Sequence, residues 1–184
     1  NSRPLVHAIL YGLPGTKKST AAASWPTPGY VDFWDGYVWK DEPYVRTGDR
    51  VLDLGTGSAI LAIAAAKLGA RVLAVDIDPI ALDNARENLD FNGVSNRVEV
   101  RCGNLDLVEE SGFQVIVANI QRDVLVPMLG ALRERLRPGG RLILSGILGR
   151  EEAEIRAAVK LGLWGAPDIR SEGEWIGIVA ARPA

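Results

Sequence analysis

The stretch Val51-Leu-Asp-Leu-Gly-Thr-Gly-Ser-Ala-Ile-Leu61 constrains what this chain can fold into more than any other. A short apolar strand runs into a turn of small residues, and the turn runs into a helix rich in alanine and leucine. Gly55 and Gly57 carry no Cβ, so the backbone can bend sharply there and approach a ligand closely. The helix start beyond them presents backbone N–H groups with no partner inside the helix, which suit an anionic or hydrogen-bonding ligand. A strand, a glycine turn and a helix in that order predict a nucleotide-like cofactor at the carboxyl end of a first parallel strand.

The residues that follow repeat the same alternation. Arg50–Leu54 is expected as a buried strand and 60–68 as a helix closed by Gly69. Residues 72–75 form a second strand ending in Asp76-Ile-Asp-Pro79, where Asp78 suits an N-cap and Pro79 the first helical position. Leu82, Ala85 and Leu89 share one face of the next helix, which stops at Asn92-Gly93. Residues 97–101 alternate as a third strand. The run 113–118, apolar but for Gln114, is the pattern of a strand covered on both faces. A helix carrying Leu125, Leu129, Leu132 and Leu136 follows and ends at Arg137-Pro-Gly-Gly140. A fifth strand over 141–145 and a helix over 151–161 complete the alternation. At the tail, 163–170 and 175–181 flank Ser171-Glu-Gly-Glu174 as an antiparallel hairpin. The fold class is α/β, with a mostly parallel sheet and a C-terminal antiparallel hairpin.

Residues 1–48 read differently. Eight of the twelve aromatic residues fall in or just before that boundary (Tyr11, Trp25, Tyr30, Phe33, Trp34, Tyr37, Trp39 and Tyr44), punctuated by Pro4, Pro14, Pro26, Pro28 and Pro43. That composition predicts a loop-rich aromatic cap over the regular domain at 49–184, or rings that complete its core. At 184 residues the chain is large enough for one real core. A net charge of −2 provides no global field for nucleic acid. The local cluster Arg133, Arg135, Arg137 and Arg141 is expected to serve a helix C-terminus. Cys102 is the single cysteine and His7 the single histidine, so an internal disulfide is excluded and zinc or Ser-His-Asp chemistry has little material. Cys102 is expected as a small buried hydrophobe. No apolar run approaches a membrane span and no signal peptide is visible, so a cytoplasmic protein is expected. The oligomeric state is left open.

Glycine spacing narrows the cofactor. A dinucleotide fingerprint needs a third small residue at the sixth position, which here is Ile60; Ala59 instead gives Gly-x-Gly-x-small. Asp53 precedes the turn by two residues. Asp76, at the end of the second strand, stands where an acid accepts hydrogen bonds from ribose hydroxyls. These features indicate a nucleoside cofactor, with an NAD-dependent oxidoreductase as the weakest candidate on the glycine spacing.

With those motifs placed, the chain resembles the class I S-adenosylmethionine-dependent methyltransferases through Asp53-Leu-Gly-Thr-Gly-Ser-Ala59, Val75-Asp-Ile-Asp-Pro79, Ala85-Arg-Glu-Asn88 and Asn92-Gly-Val94. It is similar, more narrowly, to the bacterial family that methylates amino groups of the eleventh large-subunit ribosomal protein. That likeness rests on Val117-Ala-Asn-Ile120, Leu136-Arg-Pro-Gly-Gly140, Leu144-Ser-Gly-Ile-Leu148 and Glu172-Gly-Glu-Trp175, and spans residue 48 to the C-terminus. The resemblance implies a Rossmann-like methyltransferase sheet and S-adenosylmethionine as cofactor. It implies that Asp53, Gly55, Thr56 and Gly57 hold the methionine portion and Asp76 the ribose. Ile77 would pack on the adenine, with Asn104 and Leu105 meeting its edge, and Asn119 would face the acceptor nitrogen. The partner would be an amine-bearing protein or small molecule.

Departures from the family pattern accompany the likeness. The separate N-terminal substrate-recognition domain has no counterpart among these residues. Tyr11-Gly-Leu-Pro-Gly-Thr-Lys-Lys-Ser-Thr20 resembles a diverged cofactor-closing loop, with Lys17 where histidine would stand. Ala59 replaces a usual glycine and is expected to narrow the space beside the methionine moiety. Two other readings of the residues stay open: O-methylation of a small aromatic acceptor, and a cofactor-binding paralogue without catalysis.

Overall fold

In the computed structural model the residues described are 44–184. The aromatic cap and the diverged loop at 11–20 lie outside them, apart from Tyr44. That ring is buried in the core beside Val45, with the Arg141 guanidinium 5.0 Å from its centroid.

Seven strands form one sheet: β1 (Arg50–Leu54), β2 (Arg71–Asp76), β3 (Val98–Cys102), β4 (Phe113–Asn119), β5 (Leu136–Leu148), β6 (Asp168–Glu172) and β7 (Trp175–Ala181). Their order is β3-β2-β1-β4-β5-β7-β6. The first five are parallel; β6 and β7 pair antiparallel as the expected C-terminal hairpin, and β7 is inserted antiparallel between β5 and β6. The helices are α1 (Ile60–Lys67), α2 (Pro79–Phe91), α3 (Arg122–Leu125), α4 (Leu129–Arg135) and α5 (Glu152–Leu161).

The period-two alternation of the strands divides the core into two layers. Val51, Val72, Ala74, Val115 and Val117 face one apolar cluster, which they share with α1 and α2. Leu52, Leu73, Val75, Ile116 and Ala118 face the other, filled by Leu125, Leu129, Leu132, Ile155 and Val159 of α3, α4 and α5. Helices on both faces explain why β1 and β4 read as largely apolar runs. Helix α1 is buried from Ile60 through Ala66, so it too is apolar all round. Helix α2 starts as expected: Asp78 accepts the Ile80 N–H at 2.9 Å, and Pro79 occupies the first turn.

Four expectations require correction. The helix placed across 125–136 is two short helices joined by a 3-10 turn at Val126–Met128. Pro127 lacks the N–H that a continuous helix would use. Leu136 has left the helix and pairs with Phe113 at the start of β5, so that strand is far longer than 141–145. The first hairpin strand begins only at Asp168, because residues 163–167 form no ladder. Cys102 is exposed, since it ends the edge strand β3 beyond the covering layers. The arginine cluster serves the helix C-terminus in part: Arg133 and Arg135 lie in the last turn of α4, and Arg135 donates to the Ala131 carbonyl at 3.2 Å. Arg135 binds the carbonyls of Val108 and Leu105 at 2.8 and 3.0 Å, whereas Arg182 reaches those of Arg133 and Leu136 at the end of α4. None of the helices among the described residues is long and apolar enough to cross a membrane.

Candidate active site

The strand order reverses between β1 and β4, and in open α/β sheets ligands bind beyond the carboxyl ends of the strands at such a point. A cavity of about 650 Å³ lies there. That volume falls within the usual range for small-molecule sites. Its walls come from four strand ends: Gly55 after β1, Asp76 and Ile77 at β2, Asn104 and Leu105 after β3, and Ile120 after β4. Val124 and Met128 close it from the α3 side.

Backbone hydrogen bonds tie these ends together. The N–H groups of Gly55 and Thr56 donate to the Val75 carbonyl at 2.8 and 3.0 Å, and Gly103 N–H donates to the Asp76 carbonyl at 2.8 Å. Gly55 has φ +70°, and a Cβ there would stand 2.5 Å from Ile120 Cγ2. A side chain at this position is therefore excluded twice, by conformation and by contact.

Asp76 is half-buried. One carboxylate oxygen accepts the Gly57 N–H at 2.8 Å and the other the Asp78 N–H at 3.0 Å. A carboxylate has about four acceptor positions, so two backbone donors fix its orientation and leave capacity for a diol. Ile77 beside it is 73% exposed, a large apolar side chain at the cavity rim. Asn104 caps the short 3-10 turn at Leu105–Leu107: its Oδ1 accepts the Asp106 N–H, and its Nδ2 donates to the Asp106 carboxylate at 3.0 Å.

Asp53 is only 1% exposed. Its Oδ2 accepts from Thr56 Oγ1 at 2.6 Å and from the Ala62 N–H at 3.0 Å. Ala62 lies in the first turn of α1, whose N-cap residue, Ala59, has no side chain able to cap it. Asp53 thus supplies from β1 the acceptor that the helix start needs. Ala59 itself adopts φ +64° and is fully buried in the core, away from the cavity wall.

Of the nine residues singled out in the sequence, Gly55, Asp76, Ile77, Asn104 and Leu105 line the cavity. Asp53, Thr56 and Gly57 hold the loop behind it. Asn119 ends β4 immediately before the lining residue Ile120, in register with Ser145 of β5. Ile120, Gln121, Val124 and Met128 were missed. Ile120 and Gln121 carry a signal in their position directly after the central strand, where the order of the sheet reverses; Val124 and Met128 carry none.

Residues 39–183 match the family model described as Ribosomal protein L11 methyltransferase (PrmA). The chain belongs to the ribosomal protein L11 methyltransferase family. Proteins named ribosomal protein L11 methyltransferase from Symbiobacterium thermophilum and Pelobacter propionicus are 44% and 47% identical to it over 147 and 135 residues. Those alignments cover 79% and 73% of this chain but 47% and 43% of the relatives, so the chain spans about half their length. The crystal structure of ribosomal protein L11 methylase from Lactobacillus delbrueckii subsp. bulgaricus aligns with TM-score 0.72 at 30% identity, over 92% of this chain and 81% of that one. The fold is shared more widely: a SAM-dependent O-methyltransferase from Thermotoga maritima aligns with TM-score 0.69 at 16% identity, over 76% and 61% of the two chains. Methyltransferase family and Rossmann-like methyltransferase fold are thus both established for this chain.

Proposed function

We propose that this chain is the catalytic portion of an S-adenosylmethionine-dependent N-methyltransferase whose acceptor is an amino group of a protein of the ribosomal L11 type. The reading is carried by one observation: the ends of β1, β2, β3 and β4 converge on a single nucleoside-sized cavity with a pre-oriented carboxylate in its wall. The residues present fit the cofactor. The Asp76 carboxylate suits the ribose diol, the exposed Ile77 and buried Leu105 offer apolar contact to an adenine, and Asn104 stands at its edge. Gly55 lets the loop backbone come close, while Asp53 and Thr56 hold that loop rigid from behind.

Bound S-adenosylmethionine supplies a methyl group already activated by a sulfonium, so the protein's task is to aim a nucleophile along the line of transfer. Asn119 serves that task. It sits at the carboxyl end of β4, half-buried, one residue before the cavity wall. A side-chain amide oxygen accepts N–H bonds from a neutral amine and leaves its lone pair pointing away from the amide. Asn119 carries no charge, so it holds the neutral amine without removing a proton itself.

Methyl transfer from labelled S-adenosylmethionine to ribosomal protein L11, compared with small amines and phenols, tests the reading. Label on the protein's amino groups supports it. Label on a phenol oxygen in place of nitrogen, or no label on any acceptor, overturns it.

A further inference from the structure

Asn119 and Ile120 lie between two glycines of left-handed backbone. On one side stands Gly55, already described against Ile120. On the other stands Gly146, φ +78°, where an added Cβ would lie 2.6 Å from Asn119 Oδ1, 3.4 Å from Ile120 N and 3.5 Å from Asn119 C. Gly146 follows Ser145, the register partner of Asn119, and the β5–β7 ladder is irregular between Leu144 and Ile147. Irregularities of this kind re-aim a strand locally and are frequent beside active sites.

We propose that Gly146 is a positioning residue for the acceptor-holding amide of Asn119: the missing Cβ at 146 sets where that amide oxygen stands. The inference rests on the reading of Asn119 given above. A methyl group at 146 has one hard collision, with the amide oxygen, while its approaches to the Asn119 and Ile120 backbone are close to ordinary contact. The oxygen is the far end of a rotatable side chain, whereas the backbone at 146 is anchored by paired residues on either side, Ser145 against Asn119 and Ile147 against Ile176, so the side chain gives way. From 2.6 Å it must recede by about 0.7 Å to reach a normal close carbon–oxygen contact. Displacements on that scale are large for a group that aims a nucleophile, and a misplacement of about 1 Å can cost about 100-fold in rate.

Gly146→Ala also brings left-handed strain, and Gly139 provides the control. It lies on the same strand with φ +72° and has no atom within 4 Å of an added Cβ, so Gly139→Ala carries the strain without the collision. Transfer to ribosomal protein L11 is measured for both variants, together with S-adenosylhomocysteine affinity by calorimetry. The side-chain amide resonance of Asn119 is followed as well, assigned by its loss in Asn119→Ala. Gly146→Ala is expected to move that resonance and lower transfer about 10- to 100-fold with cofactor affinity retained. Gly139→Ala should change neither, and in an Asn119→Ala background Gly146→Ala should cost nothing further. An unmoved resonance with unchanged transfer in Gly146→Ala overturns the inference, as does an equal loss in both backgrounds. Full transfer by Asn119→Ala alone instead overturns the role of Asn119. If Gly146→Ala does not fold, the wild-type protein carries the test. A nuclear Overhauser contact between the Gly146 α-protons and the Asn119 amide protons is then expected, and its absence contradicts the proposed placement.

Discussion

One oxygen of Asp76 accepts the Gly57 N–H and the other the Asp78 N–H, so the carboxylate is oriented before any ligand arrives. Charge-assisted hydrogen bonds contribute about 1.5–3 kcal/mol each. Asp76→Ala is therefore expected to weaken S-adenosylmethionine binding by roughly 10- to 100-fold, measured by titration calorimetry. An unchanged affinity would remove Asp76 from the site. Ala59 poses the opposite case, a residue that departs from the family pattern without touching the cavity. Left-handed backbone costs an alanine about 1–2 kcal/mol. Glycine relieves that strain, but it adds about 0.5–1 kcal/mol of chain entropy and removes a buried methyl worth about 0.8 kcal/mol. Ala59→Gly should thus leave stability within about 1 kcal/mol of the wild type in urea denaturation, with cofactor affinity unchanged. A tenfold change in affinity would show that the methyl group reaches the ligand after all.

At the scale of elements, the edge strand β3 is tied to the chain leading into β4 through one guanidinium. Arg101 binds Glu110 at 2.7 and 3.0 Å and Glu99 at 2.6 Å. The hydrogen bond to Arg101 is the main reason why the Glu110 carboxyl is held down at about 2, well below its usual range. The folded-state value lies below the unfolded one, so the stabilisation is fully present above the unfolded value near 4.5 and fades as pH falls towards 2. The pair is partly exposed, which limits its contribution to about 1 kcal/mol. Glu110→Gln should accordingly cost up to about 1 kcal/mol in chemical denaturation at pH 7, with the difference from wild type shrinking below pH 4.5. A difference that grows with acidity would contradict the assignment. Elements set by local chemistry were the ones visible in the sequence: the Asp78-Pro79 start of α2 and the apolar runs of β1 and β4. Elements set by distant partners were not. Leu136 continues the apolar spacing of a helix, yet it pairs with Phe113, a choice made by the sheet. Arg182 reaches the end of α4 from the far end of the chain, beyond any local pattern.

For the whole molecule, alternation of strands and helices was enough to predict an α/β sheet with a terminal hairpin. The hairpin makes β6 and β7 antiparallel neighbours, but that β7 and not β6 lies against β5 is a choice made by the sheet. The cavity was legible where backbone chemistry marks it, at Gly55, Asp76 and the turn after β3. Its α3 side was not, because Val124 and Met128 are ordinary apolar residues until the topology brings them to the switch point. Gly146 was hidden for a similar reason: its meaning depends on Asn119, a neighbour only across the sheet. In the function proposed above, a cavity holds the methyl donor and the Asn119 amide aims the acceptor. Titration of S-adenosylmethionine into the wild-type and Asn119→Ala proteins, paired with the rate of transfer to ribosomal protein L11, tests that division most directly. The account predicts equal affinities and a transfer rate about 100-fold lower in the variant. Absence of binding to the wild type, or a parallel loss of affinity and transfer in the variant, would contradict it.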